Sequence, residues 1–246
     1  MTDIPADDPK IELRSDITVE LVKSAATDSD VLFAARVSTA GEQSLDELKK
    51  DPERSKGLIN YLMRDRHGSP FEHNSMTFFV SAPIFVFREF MRHRVGWSYN
   101  EESGRYRELQ PVFYAPDASR KLVQQGRPGK YVFVEGTREQ HELVGSAMED
   151  SYRQAYATYQ QMLAAGVARE VARAVLPVGL YSSMYATCNA RSLMHFLGLR
   201  TQHELAKVPS FPQREIEMAG EKMEAEWARL MPLTHAAFNA NGRVAP

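Results

Sequence analysis

The span from Thr137 to Gly166 constrains the fold more than any other part of the chain. Thr137 and Gln140 stand in capping-box spacing, so each side chain can satisfy the other residue's backbone amide at the start of a helix. The box predicts a long helix running to about Gly166. Further helical signals follow the same logic. Asp28 or Ser29 caps a helix through Ala34 to Val37, and Leu58, Ile59 and Leu62 mark a second that stops near Gly68. Ser81 and Pro83 open a third, whose apolar positions Ile84, Phe87 and Met91 recur at helical spacing and deliver Arg92 and Arg94 at its C-terminal end. Ala168 to Leu176 forms a short helix ended by Pro177, and Asn189 caps one reaching Arg200. Ser210 with Gln213 makes a second capping box, with Pro212 in the first turn of a helix to about Leu230. Strands are expected at Ile17 to Val22, Met76 to Val80 and Tyr181 to Thr187, with Gly126 to Gly136, through Pro128 and Gly129, as a loop or hairpin. The reading is α+β: one helix-rich domain over residues 1–246, with a small, mainly antiparallel sheet and a loose acidic arm over residues 1–10.

Composition removes several classes. At 246 residues with 43% hydrophobic and 25% charged residues, the chain can bury a core of its own. A formal net charge of −2 argues against a general nucleic-acid coat, so any positive site must be local. The longest apolar runs, Ile84 to Val86 and Leu176 to Leu180, are far too short to span a bilayer, and Met1 to Pro5 has no secretory character. The single cysteine, Cys188, cannot form an internal disulfide, which suits a reducing cytoplasm. His67 and His73 lie six apart around Glu72, which is not a metal-binding helix spacing, and no cysteine pair completes a ligand set; no metal is expected.

Chemistry concentrates in residues 92–106. Three arginines, a histidine, two serines, an asparagine and two carboxylates occur there without a lysine. Arginine's planar fork fits phosphates and heterocycle edges in a way lysine cannot imitate. Gly96, Ser98, Ser103 and Gly104 allow a close backbone approach. The stretch reads either as a pocket for a phosphorylated aromatic small molecule or as a solvated charged turn after a helix. As a basic-aromatic patch, Arg92, Arg94, Trp97, Tyr99 and Arg105 leave a nucleic-acid-binding module as the alternative.

The same stretch, Arg92-His93-Arg94 followed by Ser103-Gly104-Arg105-Tyr106, resembles the signature of the flavin-dependent thymidylate synthases. Three further segments resemble that family in the same order: His67 to His73, Arg169 to Pro177, and Asn189 to Met194. The match spans about Ala34 to Arg200. The spacer Val95 to Glu102 is one residue longer than the family's, and the extra residue falls within Val95 to Ser98. Trp97 there stacks on a ring, or stands exposed at a loop or subunit contact.

The resemblance implies reductive methylation of dUMP to dTMP, with 5,10-methylenetetrahydrofolate as one-carbon donor and NADPH as reductant through FAD. It implies a cytoplasmic homotetramer with shared active sites, acting on neither nucleic acid nor membrane. It gives dUMP to Glu89, Arg92, Glu101, Ser103, Gly104, Arg105, Arg173 and Arg200, with Arg200 also catalytic at the pyrimidine edge. It gives FAD to His67, Ser69, Glu72, Arg92, His93, Arg94, Glu101, Asn189, Arg191 and His195. Classical thymidylate synthases attack uracil with a cysteine thiolate; Arg191, three residues on, could activate Cys188, but the resembled family requires no cysteine there and small buried cysteines are common, so Cys188 is assigned to packing and no enzyme nucleophile is expected.

Overall fold

The computed structural model describes residues 10–41, 51–128 and 130–246; the expected acidic arm, save Lys10, and Gly129 lie outside them. In chain order the elements are β1 (Glu12–Arg14), β2 (Thr18–Ala25), α1 (Asp28–Ala40), α2 (Pro52–Arg64), a 3₁₀ turn (Ser69–Glu72), β3 (Ser75–Pro83), α3 (Ile84–Phe90) and β4 (Trp97–Glu101). They continue with β5 (Val112–Tyr114), β6 (Val123–Arg127), β7 (Lys130–Val134), α4 (Arg138–Ala164), α5 (Arg169–Ala172), a second 3₁₀ turn (Arg173–Val175), β8 (Tyr181–Cys188), α6 (Ala190–Arg200), α7 (Arg214–Leu230) and α8 (Pro232–Ala240). The α+β reading holds. The strands divide among three sheets: a pair β1-β5, a hairpin β6-β7, and a four-stranded sheet in the order β2-β3-β8-β4. The β1-β5 pair is parallel and the hairpin antiparallel.

The chain contacts cluster into two compact units, each assembled from separate segments. The first takes Ser81–Arg88, Glu101–Ser183 and the residues up to Asp16. Its framework is α4, whose capping box is formed as expected: Thr137 Oγ1 accepts the Gln140 amide, and Gln140 Oε1 accepts that of Thr137 at 2.8 Å. Tyr152, Tyr156 and Tyr159, at i, i+4 and i+7, form its buried stripe against Leu109, Phe113, Ala172 and Leu180. Phe113 stacks on Tyr152 at 4.6 Å between centroids. The Tyr156 hydroxyl donates to Leu109 O, and the Tyr159 hydroxyl accepts from Leu109 N, so the phenols are satisfied inside the core.

The second unit holds Ile17–Val80, Glu89–Asn100 and Met184–Pro246. Its central helix is α6, with Ala190, Ser192, Leu193, Met194, Phe196 and Leu197 all buried. Each large apolar side chain so removed from water contributes about 1.5–3 kcal/mol. Asn189 caps α6 as the sequence predicts, its Oδ1 accepting Ser192 N–H at 2.8 Å.

Boundary expectations are corrected at four helices. The N-cap of α1 is Thr27, whose amide donates to Asp30; Asp28 instead accepts the amides of Leu233 and Thr234 at the start of α8. Helix α2 ends at Arg64, short of Gly68, because Arg66 turns into the left-handed region at φ 64°. Ser81 and Pro83 belong to β3 and do not open α3; the first amides of α3 are satisfied by Leu180 O and Val178 O, so no side-chain cap is required. Met91 falls beyond its last turn. The Ser210–Gln213 box is not formed, since the Ser210 hydroxyl donates to Thr201 O, and Pro212 precedes α7.

Candidate active site

In the second unit, the end of α3 presents Glu89, Arg92, His93 and Arg94. Helix α3 stops at Phe90, and the chain turns at once. The Tyr99 hydroxyl returns from β4 to donate to Phe90 O at 2.9 Å and His93 O at 3.0 Å, closing the last turn of α3. Burial pushes that phenol well above its ordinary range. Arg92 and Arg94 are exposed and have no ion-pair partner among the described residues. Arg200, at the end of α6, is only 19% exposed; it forms an ion pair with Glu89 and donates from Nε to His93 Nε2 at 3.0 Å. Its Nη2 also approaches Glu89 O at 3.5 Å.

The spacer turns at a glycine. Gly96 has φ +69°, and a Cβ there would lie 2.1 Å from Ser192 Oγ. That hydroxyl donates to Val95 O at 2.9 Å, tying the turn to α6. Trp97 then folds back, stacked on Tyr99 at 5.6 Å and lying 5.5 Å from Phe196. Trp97 therefore packs on the protein's own rings, and neither it nor Tyr99 offers a free stacking platform of the kind a nucleic-acid module uses.

Another group of expected residues also lies in the second unit. Arg191 pairs with Glu72 at 2.5 Å and donates from Nε to Pro246 O at 2.6 Å. A Cβ at Gly68 would lie 2.5 Å from Arg191 Cζ, so the guanidinium lies against bare backbone. Ser69 is exposed at the start of its 3₁₀ turn, and His67 stands edge-on to Tyr61 at 5.6 Å. Asn189 has its oxygen engaged as a cap. Partial burial, then Arg191 and Arg66, hold His195 below the ordinary histidine range. Cys188 is 2% exposed, and burial drives its thiol far above the range in which a thiolate forms.

The first unit brings Glu101, Ser103, Gly104, Arg105 and Arg173 into one neighbourhood. Ser103 Oγ accepts the Arg105 amide at 3.3 Å, and Ser103 O accepts that of Tyr106 at 3.0 Å, folding a tight turn. Gly104 is buried there: a Cβ would lie 2.7 Å from Leu109 Cδ1 and 3.3 Å from Arg173 Cδ. Arg105 pairs with Glu170 at 3.0 Å, both side chains about half exposed (52% and 55%). The Arg173 guanidinium has no ion-pair partner among the described residues. Glu101 accepts from Ser182 Oγ at 2.9 Å; burial raises its pKa, Ser182 opposing and Glu102 adding to the shift.

Sequence reading missed Glu170, Ser182 and Ser192, which hold Arg105, Glu101 and the Val95 carbonyl. Glu170 and Ser192 lie inside segments already singled out; Ser182, in a strand, carries no comparable signal. Among the described residues, the exposed Arg92 and Arg94 have no ion-pair partner, Arg173 has only the electrostatic reach of Glu101, and Arg191 lies over a glycine with donors to spare. Arginine donors of this kind, within either unit, suit phosphate and pyrophosphate groups joined to flat rings.

Comparison with known proteins agrees with this chemistry. The family model described as thymidylate synthase complementing protein matches residues 20–233. A flavin-dependent thymidylate synthase from Streptomyces avermitilis is 88% identical over 246 residues, covering 100% of both chains. One from Tropheryma whipplei is 60% identical over 234 residues, 94% of this chain and 96% of its own. A UMP/dUMP methylase from Streptomyces cacaoi, solved with 5-Br dUMP, is 59% identical with a TM-score of 0.90, covering 96% of this chain and all (100%) of its own. With a family match over most of its length and full-length relatives at this identity, the chain belongs to the thymidylate synthase complementing protein family, whose matched members are flavin-dependent thymidylate synthases.

Proposed function

We propose that this chain methylates dUMP to dTMP reductively, taking the one-carbon unit from 5,10-methylenetetrahydrofolate and reducing power from NADPH through FAD. The observation that carries the reading is the fixed Arg200 fork, held by Glu89 and His93 at the end of the Arg-His-Arg segment. Bound FAD supplies the hydride chemistry; the protein supplies position and charge. Arg200 faces the pyrimidine edge and stabilises negative charge that builds on the ring. Glu89 and Arg92 hold the nucleotide sugar and its surroundings. Ser103, Gly104 and Arg105 grip the 5′-phosphate through amides and one guanidinium fork, with Arg173 adding a second cation and Glu101 a further contact.

The residues fit a flavin. Arg191 uses two of arginine's five N–H donors internally, its flat face lies over Gly68, and Arg92 and Arg94 have no counter-charge among the described residues. We assign FAD to these three with His67, Ser69, Glu72, His93, Glu101, Asn189 and His195. Cys188, buried and held as a thiol, takes no part in the chemistry. The assembly we infer is a cytoplasmic homotetramer, one functional domain per chain, with active sites sharing residues from several subunits. No helix among the described residues is long and apolar enough to cross a membrane.

The test is direct. Purified protein should take up FAD, elute as a tetramer and form dTMP only when methylenetetrahydrofolate and NADPH are both present. UMP belongs in the same assay, because the solved relative is a methylase of both nucleotides. A protein that never takes up flavin overturns the reading.

A further inference from the structure

Two residues other than glycine adopt the left-handed backbone among the described positions: Arg66 at φ 64° and Arg243 at φ 55°. That conformation disfavours any residue with a Cβ and persists where surrounding contacts enforce it. Both arginines belong to one network around residues 243–246. Arg243 is 3% exposed with both terminal nitrogens engaged: its Nη1 donates to Glu224 Oε1 at 2.5 Å and Asn239 Oδ1 at 2.7 Å, its Nη2 to Glu224 Oε2 at 2.7 Å and Thr201 Oγ1 at 3.1 Å. Its guanidinium also lies 5.0 Å from the Phe238 ring centroid. From this anchor the backbone passes Arg66, whose Nη1 donates to Ala245 O at 2.6 Å, and reaches Arg191, whose Nε donates to Pro246 O at 2.6 Å. Ala245 and Pro246 are buried.

The consequence falls on Arg191. Its side chain is long and freely rotating, yet three groups fix its plane: Glu72 on Nη1, Pro246 O on Nε, and the bare Gly68 backbone against its face. Glu72 supplies charge, and the Pro246 oxygen on Nε, with the Gly68 backbone behind, keeps the fork from pivoting about its hydrogen bond to that carboxylate. A fork held in its bound orientation loses less freedom when a ligand accepts its remaining donors.

We propose that Arg243–Pro246 is a clamp that sets the orientation of the Arg191 guanidinium and thereby the affinity for flavin, with Arg66 and Arg243 as positioning residues. This rests on the assignment of Arg191 to the flavin made above. Arg66 holds the clamp strand by its carbonyls, and Arg243 bolts the strand to α7 and α8.

The experiment measures FAD dissociation constants by fluorescence titration, alongside flavin-free thermal melts. The variants are a deletion of residues 244–246, Arg66→Asn, Arg66→Lys and Arg191→Ala, with the deletion repeated in the Arg191→Ala background. Asparagine tolerates the left-handed backbone, so Arg66→Asn removes the grip without adding strain, and it stands in if the deletion fails to fold. Arg191→Ala should weaken FAD about tenfold or more, and the deletion and Arg66→Asn should each weaken it several-fold, with Arg66→Lys recovering part of the loss. In the Arg191→Ala background the deletion should have no further effect on FAD. A deletion that lowers only the melting temperature, or weakens FAD equally in both backgrounds, overturns the clamp while leaving Arg191's role intact. Unchanged FAD affinity in Arg191→Ala overturns the flavin assignment and the clamp with it.

Discussion

Arg200 donates its Nε–H to His93 Nε2, and because arginine has no lone pair to offer, this bond dictates where the imidazole proton sits. Nε2 is the acceptor and Nδ1 carries the hydrogen, so His93 is neutral while the bond exists. Burial, then the nearby Arg200 and His195, hold its pKa down to about 4, from an ordinary 6.5. The unfolded chain therefore takes up this proton before the folded one does. The associated stability is complete above pH 6.5 and drains away as pH falls from 6.5 toward 4. Nuclear magnetic resonance titration should find His93 neutral at about pH 6, with the melting temperature falling through that window. His93→Gln, whose amide oxygen can accept the same bond, should flatten that part of the profile. A His93 midpoint at the ordinary value would break the link to Arg200.

Arg200 also tests the proposed chemistry. If its charge is used as negative charge develops on the pyrimidine, its loss belongs to turnover and not to flavin binding. Arg200→Ala should bind FAD normally and slow single-turnover oxidation of reduced flavin by roughly a hundredfold or more with dUMP and methylenetetrahydrofolate present. Arg200→Lys should recover part of the rate, since it keeps the charge but cannot contact Glu89 and His93 with one rigid fork. Near-normal rates in Arg200→Ala would move attention to Arg92.

The Arg105–Glu170 pair distinguishes a phosphate grip from a surface ornament. Both side chains are half exposed, so their ion pair contributes little to stability. Arg105 can therefore exchange Glu170 for a phosphate at small cost. Arg105→Ala should weaken dUMP by about tenfold or more in calorimetry, because a charge-assisted bond is lost. Glu170→Gln should retain or tighten dUMP binding, as it removes the competing carboxylate. If both variants bind dUMP like the parent, the phosphate lies elsewhere.

Gly96→Ala should destabilise the protein for two separable reasons. Its left-handed backbone costs a residue with a Cβ about 1–2 kcal/mol, and the new methyl would collide with Ser192 Oγ. Combining it with Ser192→Ala relieves the collision but not the backbone cost, and removes the bond to Val95 O. Thermal melts should place Gly96→Ala clearly below the parent and the double variant no higher than Ser192→Ala alone. A Gly96→Ala protein as stable as the parent would mean the turn relaxes freely.

Much of this was legible before any coordinates, and the exceptions have physical causes. Local chemistry spoke plainly where one residue type answers one need: Asn189 capping α6, and Thr137 with Gln140 capping α4. It failed where a polar side chain had a distant claim on it. Asp28 looked like a cap for its own helix and serves α8; Ser210 looked like a cap for α7 and serves Thr201. Pro83 signalled a helix start and instead ends a strand, because the first amides of α3 are met by carbonyls of the 178–180 segment. The arginines of the site were identified by their grouping with small residues. Glu170, which holds Arg105, Ser182, which holds Glu101, and Arg66, which holds the Ala245 carbonyl, could not be, since a contact made 65, 81 or 179 residues away leaves no local pattern.

The bond from Asp28 to the amides of Leu233 and Thr234 closes a loop of 205 and 206 residues. During synthesis, α1 leaves the ribosome with that carboxylate unused, and its eventual partner is among the last described segments to emerge. The two ends of the second unit therefore meet only after the intervening chain has been made. At the growing chain's end α8 has no cap of its own, so its first amides should gain protection from hydrogen exchange late in refolding, together with α1 and not with the neighbouring α7.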